Sequence, residues 1–339
     1  MTRVPPKLVR RVALAPLVVA LDLAVLALSP LLLVTGVLLS PVLGGARPLR
    51  MAIIVVTFAV RHLEAVLTLF SLWLRRVRGD GARAAHYDVM RRFVAGVHDT
   101  IVRQAHVHVV RDEPDAAYAT LTAGRRPVVV LARHAGEGDT LLVLYELLCR
   151  YEREPRVVMH EALQLDPLID VLGGRLPNRF VDPRGGDTEV EIAALARELD
   201  ERGALVIFPE GANFTEERRR RGIERLEKLG HAGQASVARE MRHVSAPRPG
   251  GALAAIDAAP GADVVVLGHV GFPTGMGEMW RLLPARQTIE VKLWHEPAES
   301  IPADHAERID WLFERWRRLD EWVQERHGVS AARTSGSGG

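Results

Sequence analysis

The first segment whose residue types suit acid–base chemistry contains a histidine and an aspartate five positions apart. His134 and Asp139 follow an apolar run, and Gly136 and Gly138 between them let the chain turn back tightly. A carboxylate that binds one imidazole nitrogen fixes the tautomer and supports the cation formed when the other nitrogen takes a proton. Such a dyad suits deprotonation of an alcohol that attacks an acyl carbonyl. Asp139 is also a good N-cap for a helix beginning at Thr140, and the residues alone leave both interpretations open.

A second segment, residues 208–215 (FPEGANFT), also follows an apolar run. Its Pro-Glu-Gly turn projects the Glu210 carboxylate beyond the strand end, and Gly211 permits close approach of the backbone to a ligand. An ordinary turn leading into a helix explains the same residues. The basic run 218–221 on that helix is typical of a solvated face, although it would also attract phosphate or anionic lipid headgroups.

A third segment, residues 179–184 (RFVDPR), places one arginine at each end of a short strand. Arginine binds phosphate oxygens through paired N–H groups, so Arg179 and Arg184 are candidate phosphate ligands.

The elements around these segments predict an α/β fold. Short β-rich runs at 107–110, 127–132, 156–159, 179–182, 204–208, 263–268 and 288–293 alternate with helical stretches at 87–104, 140–152, 188–202, 215–229 and 306–326. This alternation indicates a mostly parallel sheet flanked by helices. In open sheets of this class, sites lie beyond the carboxyl ends of strands, so the residues that follow 132, 182 and 208 are the first candidates. Residues 245–251 (SAPRPGG) are predicted to form a loop.

An apolar, basic portion precedes that fold. Between Val12 and Leu43 the only charged residue is Asp22, and the run is long enough to span the hydrocarbon of a bilayer. Pro16, Pro30 and Pro41 are expected to kink or end it. A signal peptide is the competing interpretation, but the run exceeds a typical signal-peptide core and a second apolar run follows it.

The second run, from Met51 to Leu74, contains Arg61, His62 and Glu64. In an antiparallel hairpin an Asp22–Arg61 pair is feasible, which would let both runs cross. The alternative is a hairpin that dips into one leaflet, with 61–64 facing the globular part, and the sequence does not choose between them. Basic residues flank both outer ends and only two lie between the runs, which predicts that both ends are cytoplasmic, at the inner membrane if the source is bacterial.

Composition supports this division. The chain has 44 basic and 42 acidic side chains, but residues 1–83 alone hold eleven basic and three acidic ones. This asymmetry indicates a membrane surface as partner and no nucleic acid. The single cysteine, Cys149, excludes an internal disulfide.

The patterns along the chain predict three parts. They are a membrane-anchoring helical hairpin at 1–83, an α/β domain at 84–330 and a flexible tail at 331–339, whose SGSGG resembles a linker scar. The tryptophan-rich helix at 306–326 is interpreted as a packing helix, with contact to a membrane surface as the alternative.

Taken together, the segments resemble the glycerolipid acyltransferase family typified by 1-acylglycerol-3-phosphate (lysophosphatidic acid) acyltransferases. The family's His-x4-Asp block is matched by His134 and Asp139, and its Phe-Pro-Glu-Gly block by 208–211. The segment 180–184 approximates an intermediate block, and 264–273 resembles a fourth. The resemblance covers roughly residues 105–295 and implies the family's fold, preceded here by the two-helix membrane hairpin.

The resemblance also implies the chemistry. It implies transfer of a fatty acyl group from acyl-CoA or acyl carrier protein to the free hydroxyl of a lyso-glycerolipid, with lysophosphatidate as the first choice of acceptor. His134 would be the general base and Asp139 its orienting partner. Glu210 and Gly211 would help to form the acceptor site, and Arg184 and Arg179 would bind phosphate. No metal or bound cofactor is implied, and the partners are membrane lipids, acyl-CoA and the acceptor.

Departures from the family pattern leave the acceptor open. Arg133 stands where the family has Asn, and Gly136 where it has Ser or Thr. Ala212 and Asn213 stand where it has Thr-Arg, which leaves Asn213 in the acceptor site; Arg133 or Arg218 would have to supply the missing cation. Glycerol-3-phosphate, another lysophospholipid or a lyso-glycolipid is therefore an alternative acceptor. A hydrolase is disfavoured because there is no Gly-x-Ser-x-Gly elbow. A non-catalytic membrane scaffold is the remaining alternative.

Overall fold

The computed structural model of the chain describes residues 4–136, 138–182, 186, 188–272, 276–284 and 287–336. Within these ranges all seven predicted strands are confirmed, with ends that differ by up to three residues. They are β1 His108–Asp112, β2 Val128–Ala132, β3 Glu154–His160, β4 Arg179–Val181, β5 Gly203–Ile207, β6 Asp263–Val270 and β7 Thr288–Glu296.

The strands pair mostly in parallel. β2 lies between β5 and β6 and is parallel to both, with Val128 opposite Ala204 on one side and Asp263 on the other. β7 is antiparallel to β6, β1 lies beside β7, and β3 and β4 form a parallel pair. β2, β5 and β6 are buried along their whole lengths, which explains why their residues are mostly apolar. The predicted α/β class with a mostly parallel sheet flanked by helices is confirmed.

The helices include the five that the sequence predicts and several that it does not. The predicted ones are α5 Asp80–Ala105, α7 Asp139–Tyr145, α9 Thr188–Arg197, α10 Glu216–Lys228 and α14 His305–Gly336. Those not predicted within the globular part are α6 Asp115–Ala123, α8 Pro167–Arg175, α11 Ala232–Glu240, α12 Pro249–Ala258 and α13 Met276–Leu282. The expected loop at 245–251 ends early because α12 begins at Pro249. α14 continues to Gly336 and so includes the first six residues of the segment 331–339 that is predicted as a tail.

The chain divides into two compact units. The first contains residues 1–108, 140–191 and 275–288, and the second contains 109–139, 192–274 and 289–339. This division does not coincide with the predicted boundary at residue 83. The N-terminal helices share the first unit with α8 because Ala65 and Leu69 are buried in one cluster with Tyr87, Val94 and Leu168.

The N-terminal helices are α1 Lys7–Val9, α2 Ala15–Ala27, α3 Ser29–Leu43 and α4 Arg47–Leu74. The helical segments 7–27 and 29–43 meet at an angle of 54°. Pro30 lies in the first turn of α3, which explains the bend at this point. By length and composition, α4 is long and apolar enough to cross a membrane, and the bent pair passes the same test as one broken span.

The buried polar groups of these helices form a different pair from the one expected. Asp22 binds His62, with Oδ2 2.6 Å from Nδ1, whereas Arg61 pairs with Glu64 at 2.9 Å on the surface. The Asp22–Arg61 prediction is therefore wrong. A shift of one residue turns a helical side chain by about 100°, which places His62 inward and Arg61 outward. Asp166 lies 3.3 Å from the other ring nitrogen of His62, so this ring joins α4 to the turn before α8.

Candidate active site

The carboxyl ends of three neighbouring parallel strands meet at the site. His134 follows the end of β2, Glu210 follows the end of β5, and His269 lies near the end of β6. The main-chain N–H of Arg133 donates to the carbonyl of Leu267 and so extends the pairing of β2 and β6 by one residue. Strand register thus brings residues that are far apart in the sequence to one edge of the sheet, where open parallel sheets place their sites.

His134 and Asp139 form the predicted pair. Nδ1 of the His134 ring lies 3.2 Å from Oδ2 of Asp139, and the Gly136 N–H donates to the same oxygen at 2.7 Å. Among the described residues these are the hydrogen bonds of the carboxylate, so it closes the loop before α7 and does not cap the helix. The second glycine is also required, because a Cβ on Gly138 would lie 1.8 Å from the Phe272 ring.

Electrostatics keep Asp139 charged although it is fully buried. Burial alone would raise the pKa of its carboxyl group, but the His134 hydrogen bond, the neighbouring His269 and the Gly136 N–H hold that pKa below its usual value. The His134 side chain remains 20% exposed, so its ring is accessible to a substrate. A buried carboxylate that orients an accessible imidazole is the arrangement of a general base and its partner.

A second histidine, which the sequence did not single out, lies on the other side of Asp139. Nε2 of His269 is 3.3 Å from Oδ1 of Asp139 and 3.4 Å from the carbonyl oxygen of Arg133. Burial lowers the pKa of His269 to about 4, so its ring is neutral at pH 7. The neutral ring can donate from Nε2 to the carbonyl oxygen of Arg133, beside the Asp139 carboxylate. The signal in the sequence is a histidine directly after the strand predicted at 263–268, which β6 includes because it continues to Val270.

Glu210 supports the backbone of this loop. Oε1 accepts from the His134 N–H at 2.8 Å, and Oε2 accepts from the Ser245 N–H at 2.9 Å. Burial raises the pKa of Glu210 to about 7, although the two hydrogen bonds favour the charged form and lower the pKa. The carboxylate thus ties the turn after β5 to the residue that carries the imidazole.

Arg133 is enclosed in the same network. Its guanidinium donates to the main-chain carbonyls of His243 and His269 and is only 6% exposed. The loop that carries His243 is in turn held by Asp320 of α14, whose carboxylate accepts from three consecutive N–H groups, those of residues 242–244. The structure therefore places Arg133 among backbone acceptors, and neither Asp320 nor His243 was predicted.

The other predicted acceptor residues have local contacts of their own. Gly211 adopts a φ of +74°, which favours glycine, and the carbonyl of Asn213 accepts from Arg218. The Arg179 guanidinium binds Glu191 at 3.0 Å. Arg184 lies outside the described residues. Acceptor binding by these side chains stays a prediction.

Among the residues that the structure describes, no group of three or more His, Cys, Asp or Glu side chains is arranged to hold a metal ion. The chemistry that the site supports directly is proton transfer by an oriented imidazole.

Comparison with known proteins identifies the class. Residues 102–268, which include both His134 and Asp139, match the Acyltransferase family model. Residues 102–268 are therefore identified as an acyltransferase domain. It is also similar to the crystal structure of the 1-acyl-sn-glycerophosphate (LPA) acyltransferase PlsC from Thermotoga maritima, with 15% identity, a TM-score of 0.43, and coverage of 79% of this chain and 98% of that chain. No curated protein matches the chain.

Proposed function

We propose that this acyltransferase moves a fatty acyl group from acyl-CoA or acyl carrier protein to the free hydroxyl of a lyso-glycerophospholipid, with lysophosphatidate as the first acceptor. The observation that carries the proposal is the His134–Asp139 pair within the acyltransferase match. Its accessible imidazole suits the activation of an alcohol, which is the nucleophile of an O-acyl transfer.

In the proposed mechanism His134 donates its Nδ1–H to Asp139, which leaves the Nε2 lone pair free for the acceptor. Nε2 takes the hydroxyl proton as the oxygen attacks the thioester carbonyl. The tetrahedral intermediate then collapses, the C–S bond breaks, and the imidazolium returns the proton to the thiolate. The negative charge of Asp139 stabilises the imidazolium between these two steps.

We also propose that residues 1–83 anchor the protein to the membrane and that 84–330 form the acyltransferase part, on the cytoplasmic face. The N-terminal helices expose large apolar side chains, among them Leu21, Leu38, Val42, Leu67 and Trp73. An apolar surface of this extent favours a lipid environment. Anchoring would bring the protein to substrates that partition into the bilayer.

A different acceptor is favoured by one observation. The Pro-Glu-Gly turn continues as Ala212-Asn213, so the arginine of the family pattern is missing. Glycerol-3-phosphate, another lysophospholipid or a lyso-glycolipid is therefore the second candidate, with the same chemistry at His134.

An acyl-transfer assay with a panel of acceptors tests the proposal. Full-length protein in liposomes would receive radiolabelled acyl-CoA with lysophosphatidate, other lysophospholipids, glycerol-3-phosphate or a lyso-glycolipid, and in parallel an acyl carrier protein donor. We expect label in phosphatidate. Label in another product alone would select the second candidate, and free fatty acid alone would favour a hydrolase. The absence of any product with either donor would favour a non-catalytic membrane scaffold.

Glu210→Gln is expected to lower kcat about tenfold or more and to leave both KM values nearly unchanged. The Gln amide can accept from only one of the two N–H groups now bound, so the backbone at His134 loses an anchor while no substrate contact is removed. Steady-state kinetics on both substrates measure this. A selective rise in the acceptor KM would instead assign Glu210 to acceptor binding.

His269→Leu is expected to lower kcat several-fold. Nε2 of His269 lies 3.3 Å from Oδ1 of Asp139, so the leucine removes the polar group on that side of the buried carboxylate and leaves its orientation toward His134 less fixed. His269→Gln, which places an amide N–H near the same position, should restore part of kcat. Steady-state kinetics on both variants measure this, and a leucine variant with the wild-type kcat would exclude a positioning role.

A further inference from the structure

The segment between α11 and α12, residues 241–248, belongs to neither a helix nor a strand, and most of it is buried. We call it the 241–248 loop. Backbone N–H and C=O groups that are removed from water need hydrogen-bond partners. This loop takes them from side chains of other elements, one of which is the helix α14.

A single buried carboxylate on α14 binds three consecutive N–H groups of the loop. Oδ1 of Asp320 accepts from the N–H groups of residues 242–244, at 2.9 Å from Arg242 and 3.1 Å from Val244. Asp320 is only 3% exposed, and burial of a carboxylate costs free energy unless hydrogen bonds compensate. The other buried residues that the structure describes on α14 are apolar, so the place of this carboxylate is explained by the loop that it holds.

α14 reaches the loop because it packs closely on β6. A Cβ on Gly268 would lie 2.5 Å from Cδ1 of Leu319, so the helix lies against the strand at a point where a side chain does not fit. Leu319 immediately precedes Asp320, and Gly268 immediately precedes His269. This contact therefore fixes Asp320 relative to the strand end at the site.

The first connection from the loop to the site passes through Arg133. Nη2 of its guanidinium donates to the carbonyl oxygen of His243 at 3.0 Å, and the N–H of His243 donates to Asp320. Burial lowers the pKa of Arg133, and nearby carboxylates, including that of Asp320, oppose this effect. Arg133 immediately precedes His134 and stands where the family pattern has Asn. The guanidinium needs acceptors, and the loop supplies one of them.

The second connection passes through Glu210. The Ser245 N–H donates to Oε2 of Glu210 at 2.9 Å, and Oε1 of the same carboxylate accepts from the His134 N–H at 2.8 Å. Residues 243 and 245 therefore each lead to the backbone at His134, and Asp320 fixes the stretch of loop that carries both.

The two ends of the loop are attached separately. Nη1 of Arg219 on α10 donates to the carbonyl oxygen of Met241 at 3.0 Å. At the other end, the Arg248 N–H donates to the carbonyl oxygen of Pro209 at 2.8 Å. Loss of the Asp320 carboxylate should therefore loosen the middle of the loop while its ends stay in place.

We propose that Asp320 is a positioning residue for acyl transfer, which acts on His134 through the 241–248 loop. The inference rests on the proposed function, in which His134 is the general base. A general base must lie within hydrogen-bond distance of the proton that it takes, and a displacement of about 1 Å at the reacting groups can cost about 10²-fold in rate. Asp320 lies outside the acyltransferase match at 102–268.

Steady-state kinetics on two variants test the proposal. Full-length protein in liposomes would receive acyl-CoA with lysophosphatidate, or with the acceptor that is labelled in the panel assay. Asp320→Ala should lower kcat about tenfold or more and leave both KM values within about twofold, because it removes no substrate contact. Asp320→Asn should retain an intermediate kcat, since its amide oxygen can still accept from part of the three N–H groups. A rise in KM at unchanged kcat in both variants would overturn the proposal.

Val323→Ala is the matched control for stability. Val323 is fully buried about one turn beyond Asp320 on the same helix, so its truncation should lower Tm through lost packing and remove no side-chain hydrogen bond. Its kcat should stay within about twofold of wild type. Asp320 is only a structural residue if Asp320→Asn and Val323→Ala lower kcat equally, or if both Asp320 variants keep the wild-type kcat. Either result would reject the inference and leave the proposed function intact.

Hydrogen exchange followed by mass spectrometry tests the connection without turnover. Asp320→Asn should speed exchange of the N–H groups at 242–244 and, through the loop, of the His134 N–H, whereas Val323→Ala should leave the His134 N–H protected. Unchanged exchange at His134 in Asp320→Asn would overturn the proposal. Coupled exchange in a protein whose wild type transfers no acyl group would retain the link between the loop and His134 and reject the proposed function.

Discussion

His134→Ala is expected to reduce the rate of acyl transfer by about 10²–10⁴-fold, the contribution of a well-placed general base. Removing the imidazole leaves the acceptor hydroxyl without a group to take its proton, while Asp139 keeps its hydrogen bond from Gly136. Because the His134 side chain is partly exposed, its loss opens no buried cavity, and stability should change little. Initial rates of radiolabel transfer at saturating substrates measure the effect.

Tm and the membrane-bound fraction serve as controls for this variant, and both should stay near the wild-type values. Asp139→Ala should also lose turnover, but with a lower Tm, because the Gly136 N–H and the His134 ring lose a buried acceptor. Turnover of His134→Ala within a factor of two of wild type would remove His134 from the mechanism.

Replacement of Leu38 and Val42 by glutamate is expected to reduce membrane binding by at least about a hundredfold in partition coefficient. Both side chains are among the most exposed apolar groups of α3, at 69% and 80%, and they lie one turn apart. A charge placed at hydrocarbon depth costs about 2.5–3.5 kcal/mol on insertion scales, and the folded contacts of these residues are few. Co-sedimentation with liposomes in high salt measures the bound fraction.

The matched control is Val190→Glu with Leu229→Glu, two exposed apolar residues outside the N-terminal helices, at 67% and 62%. This pair should remain membrane-bound. Substitution is a cleaner test than deletion of residues 1–83, because Ala65 and Leu69 pack into the cluster that contains Tyr87 and Leu168. Full retention of the α3 double variant on liposomes in high salt would contradict the anchoring proposal.

The elements that could be predicted are those with strong local signals. β2, β5 and β6 are apolar runs of five to eight residues that end at turn-forming residues, and all were located to within two residues at each end. His134 and Asp139 were found together because they are close in the sequence and share one loop. The helices that were missed are short or rich in alanine and glycine, such as α12, which carries little polar–apolar periodicity.

The rest of the site depends on long-range contacts that a local pattern does not contain. His269 meets Asp139 only because β6 lies beside β2 in one register. The sequence predicts Arg133 as a substrate ligand but does not show that its guanidinium donates to one carbonyl near the end of β6 and another in a distant loop. Similarly, Arg248 reaches Gly211 through the path of the chain before α12. Such roles follow from the fold and not from the spacing of residues in the sequence.

The most direct test of the central claim is one paired measurement of acyl transfer. Wild-type protein and His134→Ala, each full length and matched for concentration and membrane-bound fraction, would receive radiolabelled acyl-CoA and lysophosphatidate in liposomes. The account predicts labelled phosphatidate from the wild type and at least a hundredfold less from the variant. Equal labelling by both proteins, or label released by the wild type only as free fatty acid, would contradict it.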